Sequence, residues 1–163
     1  MTEVILLVVA VLLCLACGAF VAAEFSLTTV ERSEVEEAVE RGVRGAPGVL
    51  KAVRNLTFEL SGAQLGITVT NLVVGMLAQP SVARLIAGPL RDLGSPPGTA
   101  SSLALVLGTA LSTVFLMVVG ELVPKNWAIS APLAVARRVA TPQRWFSTAF
   151  HPFIAHLNIT ANR

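Results

Sequence analysis

Val4–Ala23 reads VILLVVAVLLCLACGAFVAA, twenty residues without a charge. At about 1.5 Å of rise per residue, a helix of this length matches the ~30 Å hydrocarbon core of a bilayer. A cleaved leader is the rival reading. Leaders have an apolar core of about 7–15 residues behind a positively charged start. Here the run is longer and no Lys or Arg precedes it, so the stretch reads as a retained membrane span.

The rest of the chain has the same character. Of its 163 residues, 54% are hydrophobic and 13% charged, and the mean hydropathy is +0.73. Soluble domains carry about 25% charged residues, so this chain has too little polar surface to cover a globule in water. A net charge of +2 is too small to draw nucleic acid. Cys14 and Cys17 form a CxxC inside the apolar helix, where they read as packing residues rather than as a redox pair.

Two more uncharged runs follow. Leu60–Gln79, LSGAQLGITVTNLVVGMLAQ, carries Ser61, Gln64, Thr68, Thr70 and Asn71; Ala100–Gly120 is rich in Leu, Val and small residues. The segment around Leu85 is too short and broken to cross. The stretch from Arg137 to Asn158 holds Arg, Pro and His at intervals and reads as no fourth span. The expectation is an all-α integral membrane domain over 1–161, with spans at about 4–26, 60–79 and 100–123. Lys and Arg number 0, 5, 2 and 5 in the successive segments outside the spans. The positive-inside rule then places the N-terminus outside and the C-terminus in the cytosol.

Between the first two spans, ERSEVEEAVER (31–41) sets Val35, Ala38 and Val39 on one stripe; GVRGAPG breaks the chain, and a helical pattern resumes at Val49. This predicts a cytosolic helical hairpin over about 31–59, either a solvated connector or a docking element. Over about 132–160 the chain reads as a juxtamembrane amphipathic helix. Phe146, Phe150, Phe153 and Leu157 share a face, Trp145 lies beside them, and Pro152 divides it. His151 and His156 are five apart, a spacing that does not share a face and speaks against a metal pair. Gly62, Gly66 and Thr70, then Gly108 and Ser112, form small-residue faces for close helix packing, within one subunit or across a dimer seam.

The third span ends in VVGELVPKN, Val118–Asn126. Pro124 has no N–H, so the Gly120 carbonyl loses its helical partner, and an unpaired carbonyl is costly in a membrane. Gly120 lets a partner come close, and Glu121 adds a carboxylate. Together they offer hard oxygen ligands, suited to Mg²⁺. The bland alternatives are that Glu121 faces water, that it pairs with Lys125 at i,i+4, and that Pro124 simply ends the helix. On the other spans, Glu24, Ser26, Thr28 and Thr29 end the first, and Thr70 and Asn71 lie inside the second. Intramembrane polar residues usually face a bundle interior or cavity, though Asn71 could equally bond a neighbouring helix. Asn71 lies roughly 15 Å along its span, whereas Ser26 and Glu121 lie near inner ends. They meet only if the second helix is shifted or tilted.

AAEFSLTTVERSEVEE, QLGITVTNLVVG and VVGELVPKNWAIS, in that order, give the chain its resemblance to the membrane domain of the CorC/CNNM (cyclin M) family of magnesium transporters. The last stretch carries that family's G-E-x-x-P-K pattern, and the resemblance covers Met1 to about Ala161. It implies three membrane helices, a cytosolic hairpin, a belt helix and a homodimer in the bacterial inner membrane. It implies Mg²⁺ efflux, with Na⁺ as the coupling ion. The implied metal ligands are Ser26, Thr70, Asn71, the Gly120 carbonyl and Glu121, with Pro124 and Lys125 shaping the turn. Family members usually continue into nucleotide-binding modules of the cystathionine-β-synthase type, which these residues do not contain.

The expectation is thus Mg²⁺ transport by alternating access around a dehydrated ion. The alternative is a non-transporting membrane module that senses Mg²⁺ or regulates a channel; a lytic pore is a more distant rival. Enzyme activity is not expected. No nucleophile–base set is visible, and GAPG lacks the Lys-Ser/Thr of a phosphate loop.

Overall fold

The computed structural model describes residues 2–94 and 96–161, without the side chains of 97 and 157–161. Leu157's side chain and Arg163 therefore lie outside the described residues. The chain is helical, with no strand among the described residues. Its elements are α1 (Thr2–Thr29), α2 (Arg32–Glu40), α3 (Ala46–Arg54), α4 (Leu56–Asp92) and α5 (Pro97–Phe115), then a π segment (Leu116–Leu122), α6 (Val123–Ser130), α7 (Pro132–Ala149) and α8 (His151–Ala161). Three stretches, Thr2–Thr29, Leu56–Asp92 and Gly98–Ser130, are long and apolar enough to cross a membrane. The chain is a multi-pass membrane protein.

Both later spans are longer than expected. α4 runs unbroken through Pro80 and Pro89 to Asp92. A proline removes one helical hydrogen bond without ending a helix that is held by its neighbours, and α4 packs against both α1 and α5. The third span likewise does not stop at Pro124, which sits in the first turn of α6. There its missing N–H is tolerated.

Small residues set the helix spacing, and they do so within this chain. A Cβ on Gly66 would lie 2.7 Å from the Phe20 ring of α1, one on Gly108 would lie 2.7 Å from the Ala83 nitrogen of α4, and one on Gly62 would collide with Ser147 of α7. The faces read as open to two uses therefore serve intrachain packing at these three points.

At one end, α2 and α3 pack together across a turn that needs left-handed backbone at Gly42 (φ 68°) and Gly45 (φ 88°). The turn docks on α7, where Arg137 Nε donates to the Arg44 carbonyl at 2.8 Å. Leu27, Val30, Val35, Val49, Ala52, Ala136 and Ala140 form a shared core there, and fully burying an aliphatic side chain is worth about 1.5–3 kcal/mol. Leu56–Glu59, expected in the hairpin, belongs to α4 instead.

The face of α7 turned inward is not the phenylalanine stripe. Val135, Ala136, Val139, Ala140, Gln143 and Ser147 are buried. Phe146 packs edge-on to Phe20 at 4.7 Å, while Phe150 and Phe153 are exposed. The helix breaks at Phe150, which leaves Pro152 in the first turn of α8. Phe146 and Phe150 stay in contact across the break, with ring centroids 4.6 Å apart.

Candidate metal centre

α1 and α4 run antiparallel, and one register of contacts joins them. Gln64 Nε2 donates to Glu24 Oε1 at 3.5 Å, Gly66 faces Phe20, and Cys17 Sγ donates to Asn71 Oδ1 at 2.9 Å. At the level of this last pair the third span arrives. Asn71 Nδ2 donates to Glu121 Oε1 at 3.1 Å. Asn71 thus links all three membrane helices, with both it and Glu121 half-buried. The depth mismatch anticipated between them is absent, because the third span continues to Ser130 and Glu121 lies inside it rather than at its end.

The local cause is the π segment. Pro124 cannot donate to Gly120, and the helix answers by widening over Leu116–Leu122, where the Val123 N–H bonds the Val118 carbonyl five residues back. α1 presses against this widened turn through Gly18. A Cβ there would lie 3.4 Å from Pro124 Cγ and 3.7 Å from the Gly120 oxygen. Gly120 is buried in return, and a Cβ on it would lie 3.3 Å from Cys14 Sγ. The Gly120 carbonyl oxygen accordingly lies close to Gly18 of α1.

Lys125 does not neutralise Glu121. Its Nζ sits 4.4 Å from the centroid of the Phe25 ring, and no ion pair between the two is found among the described residues. Among the described residues, Glu121 has one amide, that of Asn71, as its hydrogen-bonding neighbour.

The remaining expected ligands divide. Thr70 is buried beside Asn71, but its hydroxyl donates to the Gly66 carbonyl at 2.7 Å within its own helix. Ser26 is fully buried and donates to the Ala23 carbonyl at 3.3 Å. It lies about 13 Å along α1 from Cys17, and no hydrogen bond among the described residues joins it to Asn71 or Glu121. The structure brings Asn71, Glu121 and Gly120 to one place, with Thr70 at its edge, and leaves Ser26 apart.

Cys17 is the member that the sequence did not give up. A thiol in an apolar run reads as packing, and no pattern signal marked it. No group of three or more His, Cys, Asp or Glu is gathered among the described residues.

Three long apolar helices around one half-buried carboxylate, placed by a π turn, define a multi-pass membrane protein with an intramembrane polar centre. Comparison with known proteins agrees: residues 8–163 match the cyclin M transmembrane N-terminal domain, and the chain belongs to that family. It is 42% identical to UPF0053 protein MT1890 of Mycobacterium tuberculosis over 99% of its length, and 34% identical to UPF0053 protein YhdP of Bacillus subtilis over 96%. Protein Rv1841c of M. tuberculosis is 35% identical over 88%. The chain spans 36%, 35% and 40% of these relatives respectively.

Proposed function

We propose that this chain is the membrane part of a Mg²⁺ transporter of the bacterial inner membrane, working as a homodimer with its N-terminus outside. One observation carries the reading: Glu121, on a proline-widened turn, is held by Asn71 of another helix instead of by Lys125 or open water. In the loaded state the Asn71 amide turns over. Its oxygen then faces the ion beside the Glu121 carboxylate, and its NH₂ faces Cys17, whose sulfur can accept as well as donate. Thr70, next to Asn71 in sequence, and the Gly120 carbonyl, next to Glu121, would complete part of the shell. Ser26 joins only if α1 slides, and is a ligand of another conformation. One carboxylate per subunit leaves a divalent ion partly uncompensated, which favours release over tight storage. Efflux driven by Na⁺ is the direction we propose.

The test is Mg²⁺ flux in proteoliposomes with a trapped Mg²⁺-responsive dye, with and without a Na⁺ gradient. Wild-type protein should move Mg²⁺, and Glu121→Gln should stop it while the dimer persists. Absence of wild-type flux alongside retained Mg²⁺ binding would favour a sensing module. Unchanged binding in Glu121→Gln would remove the centre from consideration.

A further inference from the structure

Alternating access needs a second opening, and the far end of the α1–α4 pair contains the parts of one. Beyond Cys17–Asn71 the same antiparallel register continues for about 20 Å and ends where Arg84 Nη1 meets Glu3 Oε1 at 2.6 Å. Between the two levels lies a cavity of about 610 Å³ whose lining is apolar apart from Ser112. Ala10, Cys14, Val74 and Ala78 are buried together, with Leu13, Leu77, Leu116 and Val119 packed around them. A cation does not enter such a layer without water or ligands. The centre is therefore separated from the face at which α1 begins, first by an apolar layer and then by an ion pair.

The ion pair has features that a plain structural contact lacks. Glu3 Oε2 and the buried Ser81 hydroxyl, one helical turn before Arg84, are neighbours that form no well-aligned hydrogen bond. Buried oxygens left unpaired are costly, and a carboxylate with a hydroxyl is the donor set a hard cation takes. Arg84 supplies the positive charge there now. Pro80 stands immediately before this group and removes the helical bond to the Met76 carbonyl, a natural point of bending in α4. Past it, the close approach of Gly108 to Ala83 ties the Arg84-bearing segment to α5, and α5 runs straight into the π segment that holds Glu121. A swing of α4 beyond Pro80 is thus mechanically connected to the centre.

We propose that Glu3, Ser81 and Arg84 form the exit gate on the face where α1 begins: closed here, and opened when the departing cation replaces the Arg84 guanidinium on the Glu3 carboxylate. This rests on the transport reading, but it can fail separately. Cys14 and Cys17 are free and buried, and they report opening without any need for flux.

The experiment labels these native thiols with a membrane-impermeant maleimide in right-side-out and inside-out vesicles, which probes each face separately. Arg84→Gln and Glu3→Gln should each speed labelling from the α1-start face about threefold to fivefold, the change in open population that loss of an ion pair of this kind permits. The double exchange Glu3→Arg with Arg84→Glu should return the rate to within about twofold of wild type. Glu3→Cys with Arg84→Cys, once oxidised, should stop Mg²⁺ flux and regain it on reduction, with Mg²⁺ binding from the opposite face unaltered. Unchanged labelling in both single variants overturns the gate, as does undiminished flux through the oxidised pair. If wild-type protein carries no flux at all, the transport reading fails, and the labelling rates still decide whether this end opens.

Discussion

Glu59 and Glu121 both sit on membrane-length helices, and their surroundings differ in kind. Glu59, at the start of α4, is 5% exposed. Its Oε2 accepts from the Ser147 hydroxyl at 2.8 Å, its own carbonyl accepts from Gln143 Nε2 at 3.0 Å, and Gln143 also donates to Ser147 at 3.1 Å. Arg144 Nε stands 3.9 Å from its other oxygen. Glu121 has a single amide donor and a widened helix around it. A buried carboxylate held by a hydroxyl and a guanidinium, on a residue whose carbonyl is also bonded, is committed to holding helices together. One with a lone, replaceable donor has room for a ligand. The first knots α4 to α7; the second, we propose, holds the transported ion.

Stability is most sensitive at the knot. Glu59→Leu removes the acceptor for Ser147 and leaves Arg144 without its carboxylate. Loss of a hydrogen-bonded buried charge costs about 3 kcal/mol, so thermal unfolding in detergent should fall by several degrees, with little change in Mg²⁺ affinity among the molecules that remain folded. Glu121→Gln should do the reverse. Mg²⁺ affinity should drop by at least about tenfold, roughly 1.4 kcal/mol or more, and the unfolding temperature should stay near that of wild type. If both substitutions lower stability and neither alters Mg²⁺ binding, the two carboxylates do one job and the distinction is void.

How far the sequence foretold this contrast differs residue by residue. The spans were legible because twenty uncharged residues admit few other readings. The Asn71–Glu121 centre was legible because a polar group in an apolar run needs a partner and a proline four residues after Gly120 must disturb its carbonyl. The knot was not. Glu59 sits next to charged residues and looked like the end of a connector, and Gln143 and Ser147 lie in a helix whose phenylalanines drew attention to another face. A lone carboxylate opening an uncharged span was the signal available, since it too needs a partner. The π segment was half legible. Pro124 announced a disturbance, but whether a helix ends, kinks or widens there depends on packing from α1, which one-dimensional pattern does not contain. Ser26 stands apart from the centre in this conformation because the α1–α4 register puts Cys17 opposite Asn71, and a register between helices is not written in either one's sequence.

Pro124→Ala sharpens the same contrast by testing what aims Glu121. Restoring the N–H removes the cause of the π turn. If the segment relaxes to α-helix, the one-residue change in register turns Glu121 by about 100° relative to Val118, away from Asn71. Mg²⁺ affinity should then fall about fivefold, roughly 1 kcal/mol, while thermal stability holds or rises slightly, because a good helix-forming residue replaces proline. Retained affinity in this variant would mean that the proline ends a hydrogen-bond ladder and does nothing to orient the carboxylate.

The smallest expected effect separates the two cysteines that the sequence treats alike. Cys14 is buried against Gly120 and among apolar side chains, so Cys14→Ala should register only as lost packing. Cys17 donates to Asn71 and sets the orientation of the amide that guards Glu121. Cys17→Ser keeps a donor and an acceptor and should leave Mg²⁺ affinity within about twofold of wild type. Cys17→Ala frees the amide, with an effect of about 0.5–1 kcal/mol on Mg²⁺ affinity, the scale of one neutral hydrogen bond. Calorimetric titration of Mg²⁺ across the three variants reads the difference directly. Were Cys17→Ala and Cys14→Ala to shift affinity equally, the thiol at Asn71 would be packing after all, and the amide would owe its orientation to Glu121 alone.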